Sequence, residues 1–273
     1  MERVGALRFR VYGSSERTVV ALHGGPAAVG AAAPIAEGLS DCFRVFEPWQ
    51  RGSGSRPLTV SDHIADLHAL ISSRRDQRRP ALVGHSWGAM LALAYATAHP
   101  CHAGPLVLIG CGTFDPQSRA RLLETLSERT TAEIKRQLTE LAAGCPDPSE
   151  RMPREAALTD ALYTYAPIDA VLDDRIEEPF DALAHTQTWS DMLRLQSEGV
   201  YPGQFTLIES PVLMLHGDYD PHPGEMIRAC LAPHIARFEY RQLEECGHSP
   251  WRERFAREGF FRLLREWLCR QFG

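Results

Sequence analysis

Ser86 stands in Gly84-His85-Ser86-Trp87-Gly88, a serine between two glycines two positions to either side. By chance alone such a Gly-x-Ser-x-Gly run arises in about one chain in ten of this length, given ordinary glycine and serine frequencies. The context is more specific. The apolar run "ALVG" leads into the serine and the helical pattern "WGAMLALAYATAHP" leads out of it. That strand–turn–helix setting presents a serine hydroxyl at the tip of a sharp turn, and the two glycines leave room for it. A hydroxyl becomes a useful nucleophile only when a base takes its proton, and the base needs a carboxylate to orient it. On such a turn the chain order is serine, then acid, then histidine. Downstream, "VLMLHGDYDPHP" brings Asp218 and Asp220 to a strand end, and "RQLEECGHSPW" brings His248 after the last strand. Strand ends of this polarity are where α/β sheets place their chemistry.

The remaining histidines fit other roles. His23 and His216 each precede a glycine at a strand end, His85 lies inside the turn, and His222 sits only two residues from Asp220. His63, His68, His99, His102, His185 and His234 read as surface or packing residues. Acyl transfer also needs donors for a developing oxyanion. The backbone N–H of Trp87, directly after the serine, supplies one. The glycines of "HGGP" (23–26) bring a second backbone N–H close to a reacting carbonyl, and Gly25 is the expected donor.

The elements that must position these residues follow from the hydrophobic pattern. Apolar runs at 7–13, 18–26, 43–49, 81–86, 104–112, 210–218 and 238–244 are short, bounded by turn residues, and mostly continuous. Continuous runs suit strands buried on both faces of a parallel sheet. Residues 59–74, 87–100 and 255–272 carry helical patterns, with Ser61 as the expected N-cap of the first. Alternation of the two predicts an α/β protein with a mostly parallel central sheet and helices on both faces. The stretch 113–205 shows only helical pattern before a strand returns at 211. It predicts a helical cap inserted before the penultimate strand, with 1–112 and 206–273 forming the core.

The chain has 273 residues, a net charge of −6 and a pI near 6.0, which argue against nucleic acid as a partner. The acid excess lies in the cap, where 17 acidic and 9 basic residues are found. It is densest at Asp169, Asp173, Asp174, Glu177, Glu178 and Asp181, and suits either a solvated face or a field attracting cations. The basic run "RRDQRR" (74–79) follows a helix, whose C-terminus favours cations. Seven cysteines without a Cys-x-x-Cys pair fit reduced thiols in a cytoplasmic protein. No apolar run is long enough to span a bilayer, so no membrane association is expected. "RGSGSRP" (51–57) lacks the third glycine of a dinucleotide loop and the Gly-Lys-Ser/Thr of a phosphate loop, and no His-Glu-x-x-His occurs. Neither a metal nor a cofactor is expected.

"HGGP" (23–26), "QRGSG" (50–54), "SWGAMLALAYATAHP" (86–100) and "GDYD" (217–220) together resemble the α/β-hydrolase superfamily along essentially the whole chain. Within it, the chain is similar to the proline iminopeptidase-like serine hydrolases. The resemblance implies a triad of Ser86, His248 and Asp220, the second acidic position of the His-Gly-x-x-Asp pattern, with Asp218 as the alternative. It also implies that cap carboxylates in the region of Glu177 and Glu178 hold a substrate's free amine. Three positions depart from that group: Ala27 follows Pro26 where glycine is usual, Trp49 replaces the aspartate before Gln50, and His85 replaces a glycine before the serine. The expected activity is hydrolysis of an ester, lactone or thioester of a small molecule. The alternatives are release of an N-terminal residue from a short peptide, and a non-hydrolytic lyase or cyclase reaction on the same fold.

Overall fold

The computed structural model describes residues 1–5, 7–73, 79–168 and 178–272. They form eight strands: β1 (Glu2–Val4), β2 (Leu7–Tyr12), β3 (Thr18–Leu22), β4 (Arg44–Trp49), β5 (Ala81–His85), β6 (Leu106–Ile109), β7 (Val212–Gly217) and β8 (Phe238–Leu243). The sheet order is β1-β2-β4-β3-β5-β6-β7-β8. The β1–β2 and β2–β4 pairs are antiparallel and the rest are parallel. The fold is the expected α/β arrangement, with β1 as an edge strand that the sequence pattern does not announce.

Alternation of side chains divides the inner strands cleanly. Val20, Leu22, Leu82, Leu106, Leu108, Val212 and Met214 point to one face. Helices α2 (Val60–Ser72), α3 (Trp87–Ala98) and α8 (Gly224–Leu231) cover it. Val19, Ala21, Ala81, Val83, Val107, Ile109, Leu213 and Leu215 point to the other, covered by α1 (Ala33–Leu39) and α9 (Arg257–Phe272). A strand covered on both sides has no polar face, which is why these runs read as continuously apolar. Helix α3 is buried along almost its whole length because it lies between the sheet and α2. Helix α2 is capped by Thr59 rather than Ser61. The Thr59 hydroxyl accepts the Asp62 N–H while the Asp62 carboxylate accepts the Thr59 N–H, a reciprocal pair that fixes the start two residues earlier.

Between β6 and β7 lie α4 (Pro116–Arg129), α5 (Ala132–Gly144), α6 (Pro148–Thr159) and α7 (Ala182–Ser197). Helix α7 is sewn to the core by polar contacts rather than by packing alone. Thr188 Oγ1 meets His63 Nε2 at 2.9 Å, Gln187 accepts the Leu58 N–H at 2.9 Å, and Asp191 accepts the Val60 N–H at 2.8 Å. Much of the acid excess of this region is neutralised locally. Arg121, Arg136 and Arg194 pair with Glu124, Glu133, Glu140, Asp191 and Glu198, while Asp115, Asp147 and Asp181 cap helices. Asp169, Asp173, Asp174 and Glu177, and all of "RRDQRR" but Arg79, lie outside the described residues. No described helix is long and apolar enough to cross a membrane, and all seven cysteines are free thiols.

One buried charge secures the end of β4 that leads to the site. Glu47 is fully buried and accepts from Arg10 Nε at 2.7 Å, Arg10 Nη2 at 3.0 Å and Tyr12 Oη at 3.0 Å. Arg10 also lies over the Trp49 ring. Removing the guanidinium leaves a buried carboxylate without its cation, so Arg10→Met is expected to destabilise the fold by about 3–5 kcal/mol. Guanidinium denaturation of the two proteins measures this; a loss under about 1 kcal/mol contradicts it.

Candidate active site

Strand β5 ends at His85, and Ser86 takes φ 53° and ψ −117° before α3 begins at Trp87. That left-handed backbone is strained for any residue but glycine. Two features hold it. The Ser86 N–H donates to Ile109 O at 2.8 Å, outside the strand's own ladder. Gly84 and Gly88 let the turn close: a Cβ on Gly84 would lie 2.2 Å from Gly88 O, and one on Gly88 would lie 2.2 Å from Leu22 O. The first N–H groups of a helix have no partner within it, so the Trp87 N–H at the start of α3 is available to a ligand oxygen, at the positive end of the helix dipole.

The loop after β3 passes directly over this turn. A Cβ on Gly24 would come within 2.8 Å of His85 Nδ1 and 3.1 Å of Ser86 Cβ, so a side chain there would crowd both residues. Gln50 ties the two together. Its side chain accepts the Trp87 Nε1–H at 2.7 Å, and its backbone N–H donates to His23 Nε2 at 3.3 Å. His23 must then carry its proton on Nδ1, which lies 3.1 Å from Gly24 O. Burial holds its ring neutral, with a pKa lowered to about 4. Further along, Gly25 has φ 37° and Ala27 has φ 78°. Ala27, at the position where the resemblance implies glycine, bears the strain of a Cβ on a left-handed backbone. Helix α7 braces this loop: His185 Nδ1 meets Pro26 O at 2.9 Å.

Asp220 follows the end of β7 and is buried. His248 Nδ1 meets its Oδ2 at 2.7 Å, and the His222 backbone N–H and Nδ1 both meet its Oδ1 at 2.9 Å. His216 Nε2 lies 3.2 Å from Oδ2 and donates to His222 O at 2.9 Å. Burial opposes the negative charge, yet the His248, His216 and His222 rings hold the carboxyl well below its ordinary range. With Nδ1 committed to Asp220, His248 keeps a lone pair on Nε2. His222 stacks on His248, with ring centroids 4.7 Å apart at 18°. Its proximity in sequence to Asp220 had suggested no part for it; in the fold it saturates the second carboxylate oxygen. Asp218 instead accepts the Glu245 and Cys246 N–H groups at 3.2 and 3.1 Å, shaping the loop that leads to His248.

That loop is locked on two sides. The His85 ring reaches His248 O through Nε2 at 3.1 Å, and burial, with His248 adding to it, keeps His85 neutral. On the cap side, the His248 N–H donates to Tyr163 O at 2.8 Å. Glu253, fully buried, accepts the N–H of Gly247 at 3.0 Å, of Tyr165 at 2.9 Å and of Ala166 at 2.7 Å. One carboxylate thus joins the histidine loop to residues 165 and 166, midway along the segment between β6 and β7. No periodicity in the sequence marks Glu253, because two of its three partners, Tyr165 and Ala166, are nearly ninety residues away.

The two cap carboxylates expected near a substrate amine are not both visible. Glu177 lies outside the described residues, and Glu178 pairs with Arg8 on β2 at 2.7 Å, a contact that lowers its pKa. Nearby Asp181 accepts the Ser53 N–H and hydroxyl at 2.7 Å.

A profile of the alpha/beta hydrolase family matches residues 19–259. The chain belongs to that family. A proline iminopeptidase of Neisseria meningitidis is 40% identical over 100 residues, 34% of this chain and 32% of that protein. A cis-3-alkyl-4-alkyloxetan-2-one decarboxylase of Shewanella oneidensis is 30% identical over 104 residues, 35% of this chain and 33% of that one. The chain therefore spans about a third of the length of these curated relatives. Among solved structures, a serine hydrolase of carbazole degradation superposes with a TM-score of 0.68 over 97% of this chain and 96% of its own, at 19% identity, a likeness of fold.

Two substitutions test the supports of this hydrolase-family site. Glu253→Gln puts an amide N–H₂ against backbone donors, so catalytic efficiency is expected to fall at least about tenfold and stability by about 1–3 kcal/mol. Steady-state kinetics and denaturation measure both; unchanged values refute the clamp. Ala27→Gly relieves a left-handed alanine and is expected to raise stability by roughly 1 kcal/mol with activity retained, read from the denaturation midpoint.

Proposed function

We propose that this protein is a serine hydrolase that cleaves an ester, lactone or thioester of a small molecule through an acyl-enzyme. The observation that carries the reading is the Asp220–His248 pair at 2.7 Å on loops that pack against the strained Ser86 turn. In this mechanism Ser86 Oγ attacks the carbonyl carbon while His248 Nε2 takes its proton. The ionised Asp220 fixes the Nδ1–H tautomer of His248 and stabilises the imidazolium. The N–H groups of Trp87 and Gly25 receive the oxyanion. His248 then protonates the leaving group, whose bond to carbon breaks. Water enters, gives its proton to His248, and adds to the acyl carbon. Collapse of that intermediate returns the proton to Ser86 and frees the acid. The chemistry asks for no cofactor or metal, and the substrate partner is a small molecule or short peptide rather than nucleic acid or membrane. Seven free thiols fit a cytoplasmic setting.

The proline iminopeptidase relative favours a second reading, release of an N-terminal residue from a short peptide. Such a substrate needs a free carboxylate for its amine, and Glu178 and Asp181 are already engaged by Arg8 and Ser53. That engagement favours the ester reading. The decarboxylase relative keeps a lyase reaction as a third reading.

Ser86→Ala is expected to abolish turnover of p-nitrophenyl acetate, by about four orders of magnitude or more, and labelling by a fluorophosphonate probe. Retention of both sinks the serine-hydrolase reading. Proline-β-naphthylamide, compared with the acetate on the parent protein, separates the first two readings; preference for the amide overturns the ester assignment.

A further inference from the structure

Three histidines gather on the surface away from the site described above. His68 lies on α2, His99 closes α3, and His102 stands in the turn that follows. Helix α3 runs from the Ser86 turn at one end to His99 at the other, a length of roughly 18 Å. No part of the proposed hydrolysis uses this cluster, and packing does not demand it, since His102 is exposed. One ring nitrogen from each residue lies within 4.8 Å of the others. We propose that His68, His99 and His102 form a binding site for a divalent transition-metal ion of the zinc, nickel or copper class.

The donor set selects that class. Three imidazoles are borderline ligands that suit zinc, nickel and copper, whereas magnesium and calcium ask for oxygen. A histidine ligand is normally held by a second hydrogen bond on its other nitrogen. His68 has this support on either side. Nδ1 lies 3.2 Å from Tyr95 Oη and Nε2 lies 3.3 Å from Ser72 Oγ, so whichever nitrogen meets the metal, the other keeps a hydroxyl partner. Tyr95 is fully buried, which fixes that partner firmly. Metal–nitrogen bonds of about 2.0–2.1 Å require the three nitrogens to close in from their present spacing. They must also turn. His68 and His99 are stacked 3.8 Å apart at 6°, and in-plane lone pairs of stacked rings do not converge. His102 already stands edge-on to both, at 87° and 89°. Rotation of His99 about its outer torsion, which leaves the hydrogen bonds of His68 in place, is the movement the site requires. This reorganisation, and the cation Arg79 that donates to Pro100 O at 3.4 Å between His99 and His102, both weaken binding relative to a preformed site. Bound metal links α2 to the end of α3, and so stabilises the folded state by mass action.

The competing set is Asp220, His222 and His248, whose donor atoms also lie within 4.8 Å of one another. The experiment separates the two. Tag-free, chelator-stripped full-length protein is titrated with ZnCl₂, NiCl₂ and, as a control, MgCl₂. Calorimetry gives binding, differential scanning fluorimetry gives Tm, and p-nitrophenyl acetate turnover reports on the other set. The expected result is one zinc site with a Kd below about 50 μM, no magnesium binding, and a Tm raised by roughly 5 °C at a hundredfold excess over Kd. Turnover is unchanged by the metal. His102→Ala, a surface change that leaves the fold intact, weakens zinc at least tenfold, and so does His99→Ala. The proposal is overturned by absence of zinc binding up to 1 mM, by equal affinity in His102→Ala, or by binding that abolishes turnover and disappears in His222→Ala instead.

Discussion

A buried carboxylate sets the terms for the functional end of this molecule. Asp220 lies beneath the surface at the end of β7, where an isolated negative charge is prohibitively unstable. It survives because both oxygens are met: Oδ1 by the N–H and ring of His222, Oδ2 by the ring of His248, with His216 close by. The same contacts that make the charge tolerable decide the chemistry. Donation to Asp220 fixes the His248 proton on Nδ1 and leaves Nε2 without it. A neutral group in place of Asp220 leaves three rings without a common acceptor and His248 without a defined tautomer.

Around that carboxylate the structure repeats one device, a buried polar atom shared between segments far apart in sequence. Gln50 joins the loop after β3 to the helix start at Trp87. Glu253 joins the histidine loop to Tyr165 and Ala166, midway between β6 and β7. His185 reaches from α7 to the carbonyl of Pro26. Each partner left unsatisfied in a dry interior costs about 1–3 kcal/mol, so these ties are all-or-none rather than graded. They explain how strained backbones at Ser86 and Ala27 persist: the surroundings over-determine them. The segment between β6 and β7 is therefore joined to the rest of the chain through the loops after β3 and β8.

How far the sequence reached varied with the range of the forces involved. The inner strands were legible because burial on both faces removes every polar position, and the Ser86 turn was legible because Gly84 and Gly88 are demanded within five residues. The edge strand β1 was not, since three half-exposed residues carry no pattern. The N-cap of α2 was displaced from Ser61 to Thr59 because a reciprocal pair with Asp62 outweighs a lone hydroxyl. The acid-rich cap, read as a count of charges, resolves among its described residues largely into ion pairs and helix caps. Glu178 is held by Arg8, 170 positions away, a pairing no local pattern announces.

By the resemblance of its motifs the sequence pointed to the family; by itself it determined the α/β layering, the tight turn at Ser86 and the placing of Asp220 and His248 after strand ends. These rest on local backbone sterics and on hydrophobic periodicity, both written within a few neighbouring residues. Only the tertiary structure decided which aspartate faces His248, that His222 completes the shell of Asp220, that Glu253 binds loop to cap, and that three surface histidines meet. Those outcomes are contacts between distant segments, and hydrogen bonds act over about 3 Å of space whatever the separation along the chain.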